Sequence, residues 1–342
     1  MKIFYAIQAT GNGHISRAAQ LIPFLQKFGE VDAFVSGDNA TLDMPFDVKY
    51  RSKGMSLYYG KCGGLDYKAL AKNSNYLRVR KEAKALPIDK YDVVINDFEH
   101  LTSLACKMKN VPSVQFGHQA SFISDKTPRP EKKTWLGELI LHKYAVATNY
   151  IGLHFQQYED FIFPPVIKTK LMQVTPTNQG HYTVYLPSFQ QHCLLDYLHQ
   201  LKDVHFHLFL PNIKAPYREK NITYMPVGTE SFNESLVTCA GIITGGGFET
   251  PAEALYLGKK LLSIPIRGQY EQHCNAAALK LMGVPVLPDV TASFANDIEN
   301  WLNMDYPLIE QPANDVNQTL QYLFDTYPSR NSNKENSKFQ QV

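Results

Sequence analysis

The stretch "GNGHIS" is the first place where residue types and spacing could support chemistry. Its histidine, His14, follows Gly13 in a loop directly after the apolar run "MKIFYAIQ". A glycine-rich turn after a strand can cradle a phosphate, and a histidine that titrates near neutral pH can act as a base. The same loop could also do no more than turn the chain into a helix. The residues alone leave these three interpretations open.

A second stretch, "GIITGGGFETPAEAL", carries the stronger signal. Gly245, Gly246 and Gly247 end an apolar run, and consecutive glycines let a backbone approach a ligand closely. A helix is predicted to follow, with Thr250 as its cap, and its N-terminus favours an anion. Glu253 is predicted in the first turn, where it either stabilises the helix dipole or accepts hydrogen bonds from two ribose hydroxyls. A tight turn without a ligand is the alternative.

The third stretch, "PIRGQYEQHCNAAAL", places an acid and an amide side by side. Glu271 and Gln272 stand at the predicted start of another helix. A carboxylate and an amide together can bind the hydroxyl groups of a polyol. A solvated helix start explains the same pair equally well.

These stretches need elements that hold them, and the sequence predicts two sets. Short β-branched and aromatic runs such as "KIFYAIQ", "YDVVIND", "AGIIT" and "VPVLP" are predicted as strands and alternate with helical periodicity, which is typical of a parallel sheet covered by helices. We therefore predict an α/β fold with two Rossmann-like parallel-sheet domains facing across a cleft. Ligands of such sheets bind beyond the carboxyl ends of the strands, where "GNGHIS" and the glycine run both lie.

The domain boundaries follow from chain length and local composition. A chain of 342 residues exceeds what a single core usually serves, and a proline-rich segment at 161–182 interrupts the periodicity. We predict an N-terminal domain over residues 1–163 and a C-terminal domain over residues 164–304. Residues 305–327 allow one more helix, which could return to the N-terminal domain. Residues 328–342 are too polar to bury a surface and are predicted to be disordered.

Composition narrows the class of protein. Hydrophobic residues make up 44% and charged residues 19%, and the net charge of +2 argues against a dedicated nucleic-acid binder. The five cysteines form no CxxC pair, so we expect neither a disulfide framework nor a structural zinc site, and a cytoplasmic location. No apolar run approaches the roughly 18 residues of a membrane span, so membrane contact would be peripheral, on the inner face of the cell membrane.

Together these motifs resemble the donor-binding half of the GT-B nucleotide-sugar glycosyltransferases. The likeness rests on the glycine turn, the Thr and Glu after it, the proline that closes the next strand, and acid-Gln-x-x-Asn-Ala. It extends to the UDP-glycosyltransferases and to the bacterial enzyme that adds N-acetylglucosamine to the peptidoglycan lipid intermediate. "GNGHISRA", "FPPVI" and "GGGFETPAEAL" together most resemble a prokaryotic branch of that superfamily. The resemblance implies a hexosyltransferase that uses a nucleotide sugar as co-substrate and no further cofactor.

The resemblance also implies roles for the residues that bind the donor. Glu253 matches the family's ribose-binding glutamate, and Thr250 matches a Ser/Thr near the diphosphate. Glu271 and Gln272 match the acid-Gln pair that holds sugar hydroxyls in UDP-glycosyltransferases.

The remaining donor contacts involve backbone or small side chains. Val227, in "YMPVGTESF", is the expected backbone contact of the base, and Ser188 takes the place of a phosphate-contacting serine. Gly13 would give clearance for the acceptor and the far end of the donor. Gly245 departs from the pattern, because UDP-glycosyltransferases have a histidine there that contacts the diphosphate. The phosphates would therefore rely on the N–H groups of the glycine turn.

On the acceptor side, His14 aligns with the histidine that takes the proton from the acceptor hydroxyl. Asp97, in "VVINDFEH", matches the aspartate that orients this base, and Glu99 and His100 are near enough to substitute for it. His14 could instead bond only backbone near a helix start, and Asp97 could instead cap the following helix.

The sequence thus predicts an inverting transfer from a nucleotide sugar, expected to be UDP-linked, to a hydroxyl acceptor. No DxD motif is present, so we expect no metal. Basic, aromatic stretches at 51–86 and 125–145 suit a lipid-linked or cell-envelope glycan acceptor, although they could be solvated surface. Two alternatives remain: a hydrolysing UDP-sugar epimerase of the same fold, and an NAD(P)-dependent oxidoreductase, for which Ser16 occupies the third glycine position of the fingerprint.

Overall fold

The computed structural model describes residues 1–9, 12–37, 44–55, 75–189, 191–306, 309 and 315–327. The predicted disordered tail, residues 328–342, lies outside the described residues, as does most of the basic stretch at 51–86. Within the described residues, two sheets organise the chain, one after the other.

The first sheet has seven parallel strands in the order β3-β2-β1-β4-β5-β6-β7. Its strands are β1 (Lys2–Gln8), β2 (Glu30–Ser36), β3 (Val48–Ser52), β4 (Val93–Asp97), β5 (Val114–Gly117), β6 (Asn149–Leu153) and β7 (Ile162–Phe163). The helices between them are α1 (Asn12–Leu25), α2 (Tyr76–Ala85), α3 (His100–Lys109) and α4 (Trp135–Lys143).

The second sheet has six strands in the order β10-β11-β9-β8-β12-β13, and only the edge pair β10 and β11 is antiparallel. Its strands are β8 (His181–Tyr185), β9 (His205–Leu210), β10 (Tyr217–Glu219), β11 (Ile222–Pro226), β12 (Gly241–Gly245) and β13 (Lys260–Ile264). The remaining helices are α5 (Thr169–Met172), α6 (Gln191–Leu198), α7 (Thr229–Thr238), α8 (Glu249–Tyr256), α9 (Tyr270–Leu281), α10 (Phe294–Asn303) and α11 (Val316–Thr326).

The central strands are apolar on both faces because helices cover both. In β1, Ile3 and Tyr5 pack in the same cluster as Ile15 and Ala18 of α1. The alternate residue Phe4 packs on the other face with α2 and α3. Side chains of a strand alternate between faces, so a sheet covered on both sides requires the near-continuous apolar run that "KIFYAIQ" provides.

The strand order reverses once in each sheet, and these two points face the cleft. In the first sheet the reversal lies between β1 and β4, and in the second between β8 and β12. A crevice opens where neighbouring strands send their connections to opposite sides of the sheet. The loops after β1, β4, β8 and β12 therefore surround the places where ligands are expected.

The last helix packs against the first. Phe324 of α11 stacks on Phe28 after α1 with ring centroids 4.3 Å apart, and Leu320 and Leu323 are buried in the cluster that contains β1. Within the described residues, no helix combines the length and the apolar character that crossing a membrane requires.

Two local predictions were wrong. The helix after the glycine run begins at Glu249 rather than after Thr250, and no side chain caps it. Thr250 is thus its second residue, Glu249 is the acid of the first turn, and Glu253 lies one turn further on. The run "VPVLP" was predicted as a strand but forms only an isolated bridge from Val286 to Ser263.

Candidate active site

The structure brings His14 and Asp97 into contact. His14 lies in the first turn of α1, Asp97 ends β4, and Nδ1 of the histidine is 2.9 Å from Oδ1 of the aspartate. The histidine side chain keeps 13% of its surface exposed while the aspartate is fully buried. If Nδ1 donates its proton to the carboxylate, Nε2 is left unprotonated and able to accept a proton from a ligand.

Arg17 joins the same cluster, and sequence reasoning missed it. Its Nε donates to Oδ2 of Asp97 at 3.1 Å and its Nη2 donates to Oδ1 at 2.7 Å. Its Nη1 pairs with Glu249 of α8, so the guanidinium group connects the two sheets. The signal that could have found it was its spacing, since residues three apart on a helix are neighbours.

The alternatives to Asp97 have other partners. Glu99 caps α3, because its carboxylate accepts hydrogen bonds from the backbone N–H groups of Leu101 and Thr102. His100 points its Nδ1 at the backbone oxygen of Tyr144, 2.5 Å away. The helix cap considered for Asp97 is thus provided by Glu99, and the carboxylate of Asp97 faces His14 and Arg17 instead.

The three glycines of the turn after β12 have different surroundings. A Cβ on Gly246 would lie 2.8 Å from the backbone oxygen of Gln272, so this position has no room for a side chain. A Cβ on Gly247 would meet nothing within 4 Å, and Gly245 has only ordinary contacts. The N–H of Gly246 donates to Oε1 of Gln272 at 3.1 Å. The expectation that the whole turn offers free N–H groups was wrong for Gly246.

Two small cavities lie beside this turn and share Tyr185 and Thr250 in their walls. The first, about 120 Å³, is lined by Ser188, Gly245, Gly247 and Gln272 among others. The second, about 110 Å³, brings in both sheets, and its lining includes Gly13, Lys168, Val227, Glu249 and Glu253. Eight of the ten predicted donor-binding residues thus line one or both cavities: Gly13, Ser188, Val227, Gly245, Gly247, Thr250, Glu253 and Gln272.

Glu253 is held by a lysine from the connection between the sheets. Nζ of Lys168 lies 3.0 Å from Oε2 of Glu253 and donates to Oδ1 of Asn233 at 3.1 Å. The Glu253 side chain is only 4% exposed, and Lys168 had no place among the predicted site residues. A carboxylate fixed in this way presents its second oxygen in a defined direction.

Glu271 and Gln272 point to different neighbours. Oε1 of Glu271 accepts from Nε2 of Gln119 at 3.1 Å, so this carboxylate faces the first sheet. Oε1 of Gln272 accepts from the backbone N–H groups of Gly246 and Ile266. Only the NH₂ group of Gln272 is left for a hydroxyl, and Glu271 lines neither of the two cavities. The structure does not bring this pair together as one polyol site.

A buried histidine connects the first sheet to the glycine turn. The ring of His118 stacks on Phe248 with centroids 3.8 Å apart, and its Nε2 lies 2.6 Å from Oδ1 of Asn275. Nδ2 of Asn275 donates to the backbone oxygen of Gly246 at 3.0 Å. His118 and Asn275 therefore fix the glycine turn relative to the N-terminal residues. Asn275 is the Asn of the acid-Gln-x-x-Asn-Ala motif, whereas His118 was not singled out from the sequence.

Burial and neighbouring positive charges shift the pKa values of the site's carboxyl groups in opposite directions. Burial by itself would raise the pKa of Asp97, but the charges of Arg17 and His14 outweigh it and lower that pKa below its ordinary value. Burial raises the pKa of Glu249 to about 7, despite the opposing charge of Arg17. Burial also raises the pKa of Glu253, and Lys168 partly offsets the effect. Shifted carboxyl groups that converge on one cleft are typical of functional sites.

The described residues contain no group of three or more His, Cys, Asp or Glu side chains that could hold a metal ion. Two parallel-sheet domains, a cleft between their reversal points and a glycine turn ahead of a helix together define the GT-B class of glycosyltransferases. The sequence matches the model of the family described as glycosyl transferase family 1 over residues 1–304, and the chain belongs to that family. It is thus a glycosyltransferase.

Solved structures support the same fold. Arabidopsis thaliana UGT89C1 complexed with UDP is 15% identical, with 95% of this chain and 94% of that chain covered and a TM-score of 0.60. Phytolacca americana UGT2 complexed with UDP-2-fluoro-glucose and pterostilbene is 13% identical, with 87% and 89% covered and a TM-score of 0.57. The glycosyltransferase SnogD from Streptomyces nogalater is 16% identical, with 89% and 91% covered and a TM-score of 0.51. A search of curated protein sequences gives no significant match.

Proposed function

We propose that this chain transfers a sugar from a UDP-linked donor to a hydroxyl acceptor by a single inverting displacement that needs no metal. The observation that carries the proposal is the contact between His14 and Asp97, 2.9 Å apart, directly after Gly13, which lines the same cavity as Glu249 and Glu253. This arrangement supplies a base oriented by a carboxylate, which activation of an alcohol requires.

The reaction has one chemical step. Nε2 of His14 takes the proton from the acceptor hydroxyl while the acceptor oxygen forms a bond to the anomeric carbon of the sugar. The bond between that carbon and the diphosphate oxygen breaks at the same time, and the nucleoside diphosphate leaves with the electron pair. Attack from the face opposite the leaving group inverts the anomeric centre. The helix N-terminus after Gly247 stabilises the charge that develops on the diphosphate.

The donor is held by residues of the second sheet. Glu253, kept in place by Lys168, accepts hydrogen bonds from the vicinal ribose hydroxyls, and Val227 meets the base at the exposed end of the same cavity. Ser188 and Thr250 line the walls where the phosphates pass. Gln272 donates its NH₂ group to the sugar. Solved structures similar to this chain carry UDP, UDP-2-fluoro-glucose or, in the spinosyn rhamnosyltransferase SpnG, thymidine diphosphate, which supports a pyrimidine nucleotide.

A nucleotide panel tests this proposal. Thermal unfolding is followed with UDP, TDP, GDP, NAD and NADP, because a ligand that binds only the folded chain raises its apparent stability. UDP is expected to stabilise the protein, and transfer is then measured as UDP release from UDP-hexoses with hydroxyl acceptors. Stabilisation by a dinucleotide alone, with no response to UDP, would contradict the proposal and favour the oxidoreductase.

One observation supports a second candidate, the hydrolysing UDP-sugar epimerase. That reaction needs additional carboxyl groups around the sugar, and Glu249, whose side chain is 15% exposed, lines the donor cavity with a pKa that desolvation raises to about 7. The two candidates separate in one assay. An epimerase releases UDP without an acceptor and yields a free sugar, whereas the transferase needs the acceptor for rapid turnover.

For the acceptor, we propose a lipid-linked or cell-envelope glycan, reached by peripheral membrane contact. Trp135 and Leu139 lie on one face of α4 and are 76% and 45% exposed, and the nearby Lys132, Lys133 and Lys143 are exposed. An apolar face flanked by lysines suits an anionic lipid surface.

Vesicle sedimentation tests this contact. The wild-type chain is expected to bind vesicles with phosphatidylglycerol more than neutral vesicles, and Trp135→Ser should reduce that binding severalfold. Leu281→Ser is the matched control, because Leu281 is 75% exposed on α9 of the other domain. Equal binding by all three proteins would contradict the proposal.

A further inference from the structure

We propose that Arg17 is a positioning residue that couples the donor side of the cleft to the base. Its guanidinium group holds Asp97 beside His14 with one edge and Glu249 of α8 with the other. This inference rests on the proposed function and extends it to a residue that touches neither the acceptor nor the sugar.

The geometry of the guanidinium group explains how one side chain does both. Nε and Nη2 form a parallel pair of hydrogen bonds to the two oxygens of Asp97, at 3.1 and 2.7 Å. Nη1, on the remaining edge, reaches Glu249, which is 232 positions away in the sequence. A planar fork can satisfy two carboxylates in fixed directions, which a lysine ammonium cannot. Arg17 thereby fixes the distance between α1, which carries the base, and α8, which follows the phosphate turn.

The surroundings have room for this contact because two neighbouring residues lack side chains. A Cβ on Gly117 would lie 2.6 Å from Oδ1 of Asp97 and 3.3 Å from Nη2 of Arg17. A Cβ on Gly13 would lie 3.3 Å from Cγ of Glu249. The Arg17 side chain is 2% exposed, so its charge is shielded little by water.

The charge of Arg17 also acts on His14 directly. Nη2 lies 3.0 Å from Nδ1 of His14, and both nitrogens face the same oxygen of Asp97. A guanidinium nitrogen has no acceptor capacity, so it competes with the histidine for that oxygen and disfavours the protonated ring. The other titratable groups around the cluster are Glu249 and, from β1, Tyr5. The guanidinium charge of Arg17 therefore lies directly beside the proposed base and shares its carboxylate.

Glu249 connects Arg17 to the proposed donor site. Its carboxyl group lies in the first turn of α8 and lines the cavity proposed to hold the donor. An unpaired carboxylate there would repel a diphosphate, and the guanidinium group of Arg17 neutralises it. Donor binding and the position of the proposed base, His14, thus both depend on the guanidinium group of Arg17.

The test compares variants that change the charge in opposite directions. In Arg17→Gln, kcat is expected to fall by about 10- to 100-fold, UDP affinity to weaken, and the acidic limb of the kcat/KM pH profile to move to higher pH. In Glu249→Gln the same limb should move to lower pH, because the charge of Arg17 is less compensated. Arg17→Lys should keep the limb near its wild-type position and recover only part of kcat. Arg218→Gln, at an exposed arginine of β10, is the control.

A purely structural role for Arg17 predicts a different pattern. Loss of a purely structural contact would lower kcat equally at every pH. An acidic limb of the kcat/KM profile that keeps its wild-type position in both Arg17→Gln and Glu249→Gln would therefore overturn the inference. A measurement without substrate separates this outcome from failure of the proposed function. The titration of the His14 ring, followed by ¹⁵N NMR, should shift in opposite directions in the two variants even if no transfer is found. Wild-type protein without UDP binding or transfer would contradict only the proposed function.

Discussion

Nδ1 of His14 lies 2.9 Å from Oδ1 of Asp97, although 83 positions separate the two residues in the sequence. The contact is possible because β1 and β4 are neighbours in the first sheet, so the loops that follow them meet at its carboxyl edge. The pair occupies the point where the strand order reverses.

Removal of the base should stop transfer without removing the donor. His14→Ala is expected to lower kcat by about 100-fold or more, since a positioned base contributes 10²- to 10⁴-fold, and to leave the Kd for UDP within about threefold. Calorimetry with UDP and a transfer assay measure the two effects. His100→Ala, which removes a histidine bonded to the backbone of Tyr144, is the control and should keep its activity. Normal turnover by His14→Ala would exclude the mechanism.

Glu253 should account for preference for ribose over deoxyribose. If its carboxylate accepts from the ribose hydroxyls, the wild-type chain should bind UDP about 10- to 100-fold more tightly than 2′-deoxy-UDP, because a hydrogen bond to a charged group is worth about 1.5–3 kcal/mol. Glu253→Gln should bind UDP more weakly and discriminate less, as measured by calorimetry. Glu230→Gln, which removes an exposed carboxylate paired with Lys170, is the control. Unchanged discrimination in Glu253→Gln would assign the ribose to another residue.

Adjacent glycines should respond differently to the same substitution. Gly246→Ala is expected to destabilise the fold by about 1–3 kcal/mol, because the new methyl group would lie 2.8 Å from the backbone oxygen of Gln272. Gly247→Ala has open space and should fold with a nearly unchanged Tm, yet weaken UDP binding where the phosphates are proposed. Thermal unfolding and UDP calorimetry separate the effects. An alanine at Gly247 that leaves UDP affinity intact would place the phosphates elsewhere.

Histidines in the second sheet should make stability fall in acid. Burial lowers the pKa of His207 to about 4 and also lowers those of His181 and His205. An unfolded histidine titrates near 6.5, so between about pH 6.5 and 4 the unfolded chain binds protons that the folded chain does not, and the free energy of unfolding decreases as pH falls. The contribution of these neutral histidines to the free energy of unfolding is complete above pH 6.5 and is lost as the pH drops toward 4.

The variant His207→Phe isolates this effect. It keeps an aromatic ring against His181, which stacks on His207 with centroids 3.7 Å apart, but it cannot titrate. The slope of unfolding free energy against pH in this window should decrease by up to about 1.4 kcal/mol per pH unit, the value for one proton. Urea unfolding at several pH values measures the slope. The control is His192→Asn, at an exposed position of α6, which should leave the slope unchanged. An unchanged slope in His207→Phe as well would show that the histidines of the second sheet are not responsible.

Local patterns predicted most of the elements around the site. "KIFYAIQ" and "AGIIT" are strands because parallel strands covered on both faces need continuous apolar runs, and both ended where the motifs begin. Helix boundaries were less accurate. The start of α8 differs from the prediction because Thr250 does not cap it, which moves Glu249 into the first turn and Glu253 out of it.

Contacts between the sheets could not be predicted in the same way. Gln272 was expected to bind sugar hydroxyls together with Glu271, yet its oxygen accepts hydrogen bonds from the backbone N–H groups of Gly246 and Ile266. Glu271 turns toward Gln119 of the first sheet instead. Two adjacent residues on a helix point in directions about 100° apart, and only the packed neighbours determine which of them meets the cavity.

The sequence by itself determined the two sets of strands and helices, the glycine turn ahead of a helix, and the identity of His14, Asp97 and Glu253 as chemically capable residues. The tertiary structure decided which charged groups form ion pairs: Arg17 with Asp97 and Glu249, and Lys168 with Glu253. The reason is physical. Periodicity and turn chemistry are local properties of the chain, whereas an ion pair between residues 232 positions apart depends on how the two sheets are packed against each other.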